Sequence, residues 1–214
     1  MPRIALIHAL SHSVGPINAV MAHHWPEATC MNLLDDSLSA DLASSGRGLD
    51  DALHQRFHDL ATYAIGTGAD GILFTCSAFG SCIEAVARCY PQVPVLKPNE
   101  AMIADAVKTS GPIGLIATFG PTLESMPAEF PPNLDVRCAL ALGALDALNR
   151  GDVEQHDALI VEQARQLAAA GCNTIALAQF SMARALGPCE EASGKPVLTT
   201  VHSAVLELKR RLSS

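Results

Sequence analysis

The chain has 214 residues and a formal net charge of −8, with 49% hydrophobic but only 4% aromatic residues. An acidic chain with no basic stripe lacks the Lys and Arg that neutralise phosphate, so nucleic acid is not an expected partner. The apolar run in MPRIALIHAL is far shorter than the ~20 residues of a membrane span and reads as a first strand rather than a secretory segment, so no membrane partner and a cytoplasmic location are expected.

Short runs of Ile, Leu and Val alternate with longer Ala-rich stretches, the pattern of repeated strand and helix units on parallel sheets. The first half is predicted to run strand 3–10, helix 14–22, strand 30–33, helix 49–67, strand 71–74, helix 81–89 and strand 95–96. The second is predicted to run helix 99–109, strand 113–117, strand 135–139, helix 140–149, helix 155–170, strand 174–177, helix 182–193, strand 197–198 and helix 201–212. Residues 37–48, small and polar, and 126–132, rich in proline, read as loops, either of them a surface loop or a cover over a pocket. Gly66, Gly68 and Gly171 stand where a helix must close before a buried strand.

The chain carries a faint internal copy of itself. GADGILFTCSAF at 68–79 lies over GCNTIALAQFSM at 171–182 under a shift of 103 positions, so Gly68 meets Gly171 and Cys76 falls on Gln179. Pro94-Val95-Leu96 answers Pro196-Val197-Leu198, and IALIHAL at 4–10 resembles IGLIATF at 113–119. The expected fold is α/β with two pseudo-symmetric lobes, each a roughly four-stranded parallel sheet flanked by helices, with the active site in the cleft between them. Residues 1–98 form the first lobe, completed by a C-terminal helix at 200–214, and residues 99–199 form the second.

Ligands of open parallel sheets bind beyond the carboxyl ends of the strands. Those ends carry His8, Ser11 and His12; Thr75, Cys76 and Ser77; Thr118 and Thr122; and Gln179 and Ser181. Small hydroxyls together with the positive ends of helices suit a carboxylate. Seven cysteines without a CxxC pair argue against a disulfide framework or a structural zinc site. Cys76 stands just past a buried strand and before a helix, a position that lowers a thiol pKa and activates it; an inert packed cysteine is the competing reading. Cys82 and Cys89, seven apart, read as fillers of one helix interface, and His54 and His58 as a helix face rather than metal ligands, because Gln55 stands where a zinc-binding HExxH motif has Glu. His202 follows the last strand and reads as facing the cleft.

With TCSA at 75–78, GLIATxxxT at 114–122 and AAGCNTIALAQFSMA at 169–183, nearly the whole chain resembles the aspartate/glutamate racemase superfamily. Its hydantoin racemase and arylmalonate decarboxylase branches are the most similar. The resemblance implies chemistry without a cofactor or metal at the carbon next to a carboxylate or carbonyl of a small molecule, and a homo-oligomer by analogy. In the family's racemases one cysteine from each half flanks that carbon. The first matches Cys76; the second position holds Gln179, in LAQFSMA. The family's carboxylate-clamp Thr matches Thr118, and Ser11, Thr75, Ser77, Ala78, Thr122, Ser181 and His202 are expected to complete the substrate pocket.

A glutamine neither gives nor takes a proton at neutral pH. Symmetric two-thiol racemisation is therefore excluded unless His8, His12 or His202 replaces the missing thiol. The family default is a racemase or isomerase, with Cys76 as acid/base or nucleophile. The alternatives are a single-cysteine decarboxylase, lyase or hydrolase and, from another class, a carboxylate-binding protein without turnover.

Overall fold

Strands buried on both faces need no polar alternation, and the apolar runs of this chain form such strands. In the computed structural model, which describes residues 1–213, β1 (Arg3–His8) is buried from Ile4 onward and β3 (Gly71–Phe74) throughout. With β2 (Thr29–Leu34) and β4 (Val95–Leu96) they form a parallel sheet in the order β2-β1-β3-β4. The second sheet repeats the order, β6-β5-β7-β8, with β5 (Ile113–Ala117), β6 (Val136–Leu140), β7 (Thr174–Leu177) and β8 (Val197–Thr199). Ser214, at the end of the expected C-terminal helix, lies outside the described residues.

The internal copy extends to the backbone. Thr75 N–H donates to Ile7 O at 2.9 Å, and Ala178 N–H, 103 positions on, donates to Ile116 O at 2.9 Å. Gly68 and Gly171 both adopt left-handed backbone, with φ of 85° and 94°, which a side chain would oppose. Gly66 is instead the last residue of α3 (Asp51–Gly66).

Helices α1 (Val14–His24), α2 (Ser37–Ser45), α3 and α4 (Gly80–Cys89) belong to the first half. The second has α5 (Glu100–Ala106), α6 (Gly120–Ser125), α7 (Ala144–Asn149), α8 (Val153–Ala169), α9 (Leu186–Ser193) and α10 (Thr200–Leu212). Asp50 starts α3 by accepting from Leu53 N–H at 3.0 Å, and Asp152 starts α8 by accepting from Gln155 N–H at 3.1 Å. On α10, Val201, Ala204, Val205 and Leu208 face one way and pack with Ile4, Leu6 and Leu73 of the first sheet.

Several expectations are corrected. The polar stretch 37–48 is mostly the helix α2, because Leu38 and Leu42, four apart, bury one face while Gly46, at φ 64°, ends it. Residues 126–132 begin with a 3₁₀ turn, Met126–Glu129. β1 stops at His8, and the helix expected from 182 begins at Leu186, after a 3₁₀ turn at Phe180–Ala185. Cys82 is buried but Cys89, at the end of α4, is exposed, so the two do not fill one interface.

The lobes exchange aromatic anchors. Phe119, after β5, joins the first lobe's core with Cys76 and Ala78, while Phe180, after β7, joins Leu6, Ile17 and Val201. Burying each ring contributes about 1.5–3 kcal/mol, and both rings sit one residue past a candidate site residue. Among the described residues no helix is long and apolar enough to cross a membrane.

Candidate active site

Cys76 and Gln179 occupy matching places at the carboxyl ends of β3 and β7. Each is an extended residue opening a 3₁₀ turn, with φ and ψ of −122° and 119° for Cys76 and −134° and 146° for Gln179. The lobes meet beside them, where the Ser77 hydroxyl donates to Ala178 O at 3.0 Å and α6 packs on Ser77–Phe79. Ser77 thus ties the lobes together.

The two sites differ in their electrostatics. Cys76 is 6% exposed, and the space beside it, lined by Ile7, His8, Ala9, Leu38, Phe57 and Phe74, is too tight for water. Burial pushes its thiol up to about 11, outweighing the Ala78 N–H and the Ser39 hydroxyl, which pull it down. Against the expected activation by the helix N-terminus, desolvation by the apolar wall around the sulfur outweighs the local donor. The thiol is protonated at neutral pH.

Gln179 is 5% exposed. Its Oε1 accepts from Thr118 N–H at 2.6 Å and from the Thr118 hydroxyl at 3.1 Å. A backbone N–H can be met only by the amide oxygen, so this contact fixes the amide's orientation. Nε2 then has two hydrogens and no partner. Thr122 Oγ1, Ser181 Oγ and Thr200 Oγ1 are likewise buried without partners, all just beyond strand ends of the second sheet. Unpaired buried donors cost roughly 1–3 kcal/mol each. Such a concentration suits an oxyanion.

His8 is fully buried, its Nδ1 2.9 Å from Thr75 Oγ1 and its Nε2 2.9 Å from Asn32 Oδ1. Burial lowers its pKa, partly offset by Asn32. With both ring nitrogens engaged, His8 holds Thr75 in place and is not a free base. His12 bridges the lobes through Nε2, 2.9 Å from Asn149 Oδ1, and Ser11 is exposed at the start of its turn. His202 pairs with Thr199 Oγ1 at 3.0 Å and packs edge-on against His24, with ring centres 5.6 Å apart; it bonds to neither Cys76 nor Gln179. His54 and His58 face Ser81 and Tyr90.

Two groups were not anticipated from sequence. Ser39, on α2, is 4% exposed with no hydrogen-bond partner, beside Leu38 of the wall around Cys76; the spacing of Leu38 and Leu42 was the available signal. Lys97, after β4, is paired with Glu84 and Glu129, each at 2.6 Å, and Asn99 Nδ2 donates to Glu129 at 2.7 Å. Among the described residues no three His, Cys, Asp or Glu side chains converge as a metal site.

A model of the Asp/Glu/hydantoin racemase family matches residues 17–208. The chain belongs to this family. Among curated proteins none matches it significantly. Of solved structures, glutamate racemase from Bacillus anthracis is 13% identical, with 99% of this chain and 82% of that one covered and a TM-score of 0.78. Allantoin racemase from Pseudomonas fluorescens is 17% identical, covering 99% and 91% with a TM-score of 0.74. A glycine-to-cysteine mutant of arylmalonate decarboxylase, solved with sulfate, is 19% identical, covering 100% and 94% with a TM-score of 0.68. These likenesses carry the two-lobed fold.

Proposed function

We propose that this protein is a one-thiol, cofactor-independent enzyme acting at the carbon next to a carboxylate of a small molecule. Cys76 is the proton donor, and Gln179 is the amide that holds the developing enediolate. The observation that carries this reading is the matched placement, at the ends of β3 and β7, of a buried thiol and a buried amide whose Nε2 has no partner.

Decarboxylation suits this arrangement best. A substituted malonate loses carbon dioxide, and the electron pair of the broken C–C bond remains as an enediolate. Its oxygens are held by Gln179 Nε2 with the hydroxyls of Thr122 and Ser181, and its carbon takes the proton of Cys76. The thiolate regains its proton from bulk solvent during product release. Only one proton-transfer group is needed. Thr118 positions Gln179, Thr75 and Ala78 frame the thiol, and Ser77 holds the lobes together.

Racemisation or isomerisation is the second reading, supported by the racemases among the similar structures. It requires a second acid or base on the opposite face of the carbon, where Gln179 offers none.

The test is incubation in deuterated water with amino acids, hydantoins and substituted malonates, followed by NMR. Carbon dioxide release with one deuteron delivered to a single face supports one-thiol decarboxylation. Exchange with inversion of recovered substrate supports the racemase, and saturable binding with neither outcome supports a carboxylate-binding protein.

A further inference from the structure

The segment 119–129, which carries Thr122, is fastened at both ends to the half of the molecule that carries Cys76. It leaves the second sheet after β5, and Phe119 at its start packs in the core cluster that holds Cys76, Ala78 and Phe79. Glu129 at its end closes the 3₁₀ turn after α6 and reaches Lys97, which follows β4 of the first sheet. Between these anchors α6 lies against the turn Ser77–Phe79.

Lys97 is 8% exposed and follows Leu96, whose register partner is Leu73, three residues before Cys76. Its Nζ donates to Glu129 Oε2 and to Glu84 Oε1, each at 2.6 Å, and the buried Asn99 Nδ2 donates to Glu129 Oε1 at 2.7 Å. The same Oε1 lies over the first residue of α4, where a methyl group on Gly80 would stand 3.2 Å from it. A buried ammonium must be paired, and this one takes a carboxylate from each side: Glu84 from α4 and Glu129 from beyond α6. Apolar packing at Phe119 tolerates sliding, whereas short charged hydrogen bonds fix a position.

We propose that Lys97 and Glu129 are positioning residues for the active site: their ion pair clasps the segment that carries Thr122 onto the turn that carries Cys76, and so fixes the oxyanion donors against the proton donor. This rests on Cys76 and Thr122 serving one substrate carbon. The two groups stand at the ends of different sheets, so their alignment depends on how the halves are held, and a misplacement of about 1 Å costs up to about 10²-fold in rate.

The experiment compares wild type with Glu129→Ala and Glu129→Gln. Glu129→Ala leaves Lys97 paired with Glu84, so no buried charge is stranded and the fold is expected to persist. Glu129→Gln keeps an oxygen for Lys97, and Asn99, whose Oδ1 has no partner, can turn to accept from the new amide. One readout needs no substrate: iodoacetamide alkylation of Cys76, followed by mass spectrometry, relative to Cys172 and Cys189 in the core of the second sheet. The other is kcat, KM and the enantiomeric purity of the product from a disubstituted malonate. Glu129→Ala is expected to speed alkylation of Cys76 about tenfold, the weight of one charged hydrogen bond. It is also expected to lower kcat about tenfold or more with KM little changed, and to lower product purity, because a misaligned enediolate takes part of its protons from solvent. Glu129→Gln is expected to recover most of each loss. Unchanged alkylation of Cys76 in Glu129→Ala overturns the clasp, and faster alkylation with unchanged kcat and purity overturns its positioning role. Retention of turnover by Cys76→Ala overturns the reading on which the proposal rests, so the failures are read from different variants.

Discussion

Thr118 and Gln179 hold each other in one orientation: the Thr118 N–H and hydroxyl both donate to Gln179 Oε1, at 2.6 and 3.1 Å. The consequence is at the other end of the amide, where Nε2 is buried with no protein partner. Gln179→Ala is expected to keep the fold and lower kcat by about 10²–10³-fold, the usual effect of removing one oxyanion donor. Gln179→Glu is expected to be at least as damaging, since its second carboxylate oxygen would meet the substrate carboxylate where Nε2 now donates. A change confined to KM would mean that the amide binds ground state and transition state alike.

Placing a thiol at the matching position tests the pseudo-symmetry directly. Gln179→Cys is expected to introduce exchange on the second face of the substrate carbon, observed as partial racemisation of an enantiopure product in deuterated water. A folded variant that delivers deuterium to one face only would show that Cys76 and residue 179 do not face a common carbon.

The two-lobed fold was legible because strands buried on both faces are written as apolar runs, and because the left-handed closures at Gly68 and Gly171 repeat with the strands. Cys76 and Gln179 were legible for the same reason, as matching strand ends. The protonation state of Cys76 was not. A sequence motif displays the local N–H of Ala78, whereas the desolvation that prevails comes partly from Leu38 and Phe57, on helices remote in sequence. α2 was hidden by its serines, since only two leucines mark its buried face. His202 stands at the expected place in the chain, but its ring is turned to His24, a contact set by the packing of α10 on α1.

Closure of α2 over Cys76 gives a further expectation. Arg56, about one-third exposed, holds the helix through Asp35, Ser37 and Asp41. Partly exposed ion pairs contribute about 0–1 kcal/mol each, so Arg56→Ala is expected to cost little global stability while loosening α2. Cys76 is then expected to alkylate faster at pH 8 than in wild type, with Cys172 and Cys189, both fully buried in the core of the second sheet, unchanged as internal controls. Equal acceleration at all three would indicate general destabilisation instead.

The buried His8 makes stability depend on pH in a defined direction. Its folded pKa lies below the ordinary value of 6.5 because burial disfavours the cation. Above 6.5 the ring is neutral in both folded and unfolded chains and adds no pH dependence. As pH falls through 6.5, the unfolded chain takes up a proton that the folded one refuses, so stability declines by at most about 1.4 kcal/mol per pH unit until the folded pKa is reached. His202, lowered by burial and then by His24 and His23, acts in the same sense. Thermal unfolding is therefore expected to show a lower Tm at pH 5.5 than at pH 7.5, with a smaller difference in His8→Gln. That variant keeps a donor toward Asn32 but cannot titrate. If it retains the full wild-type difference, the pH dependence arises from His202 or other groups, and His8 is not the residue that resists protonation.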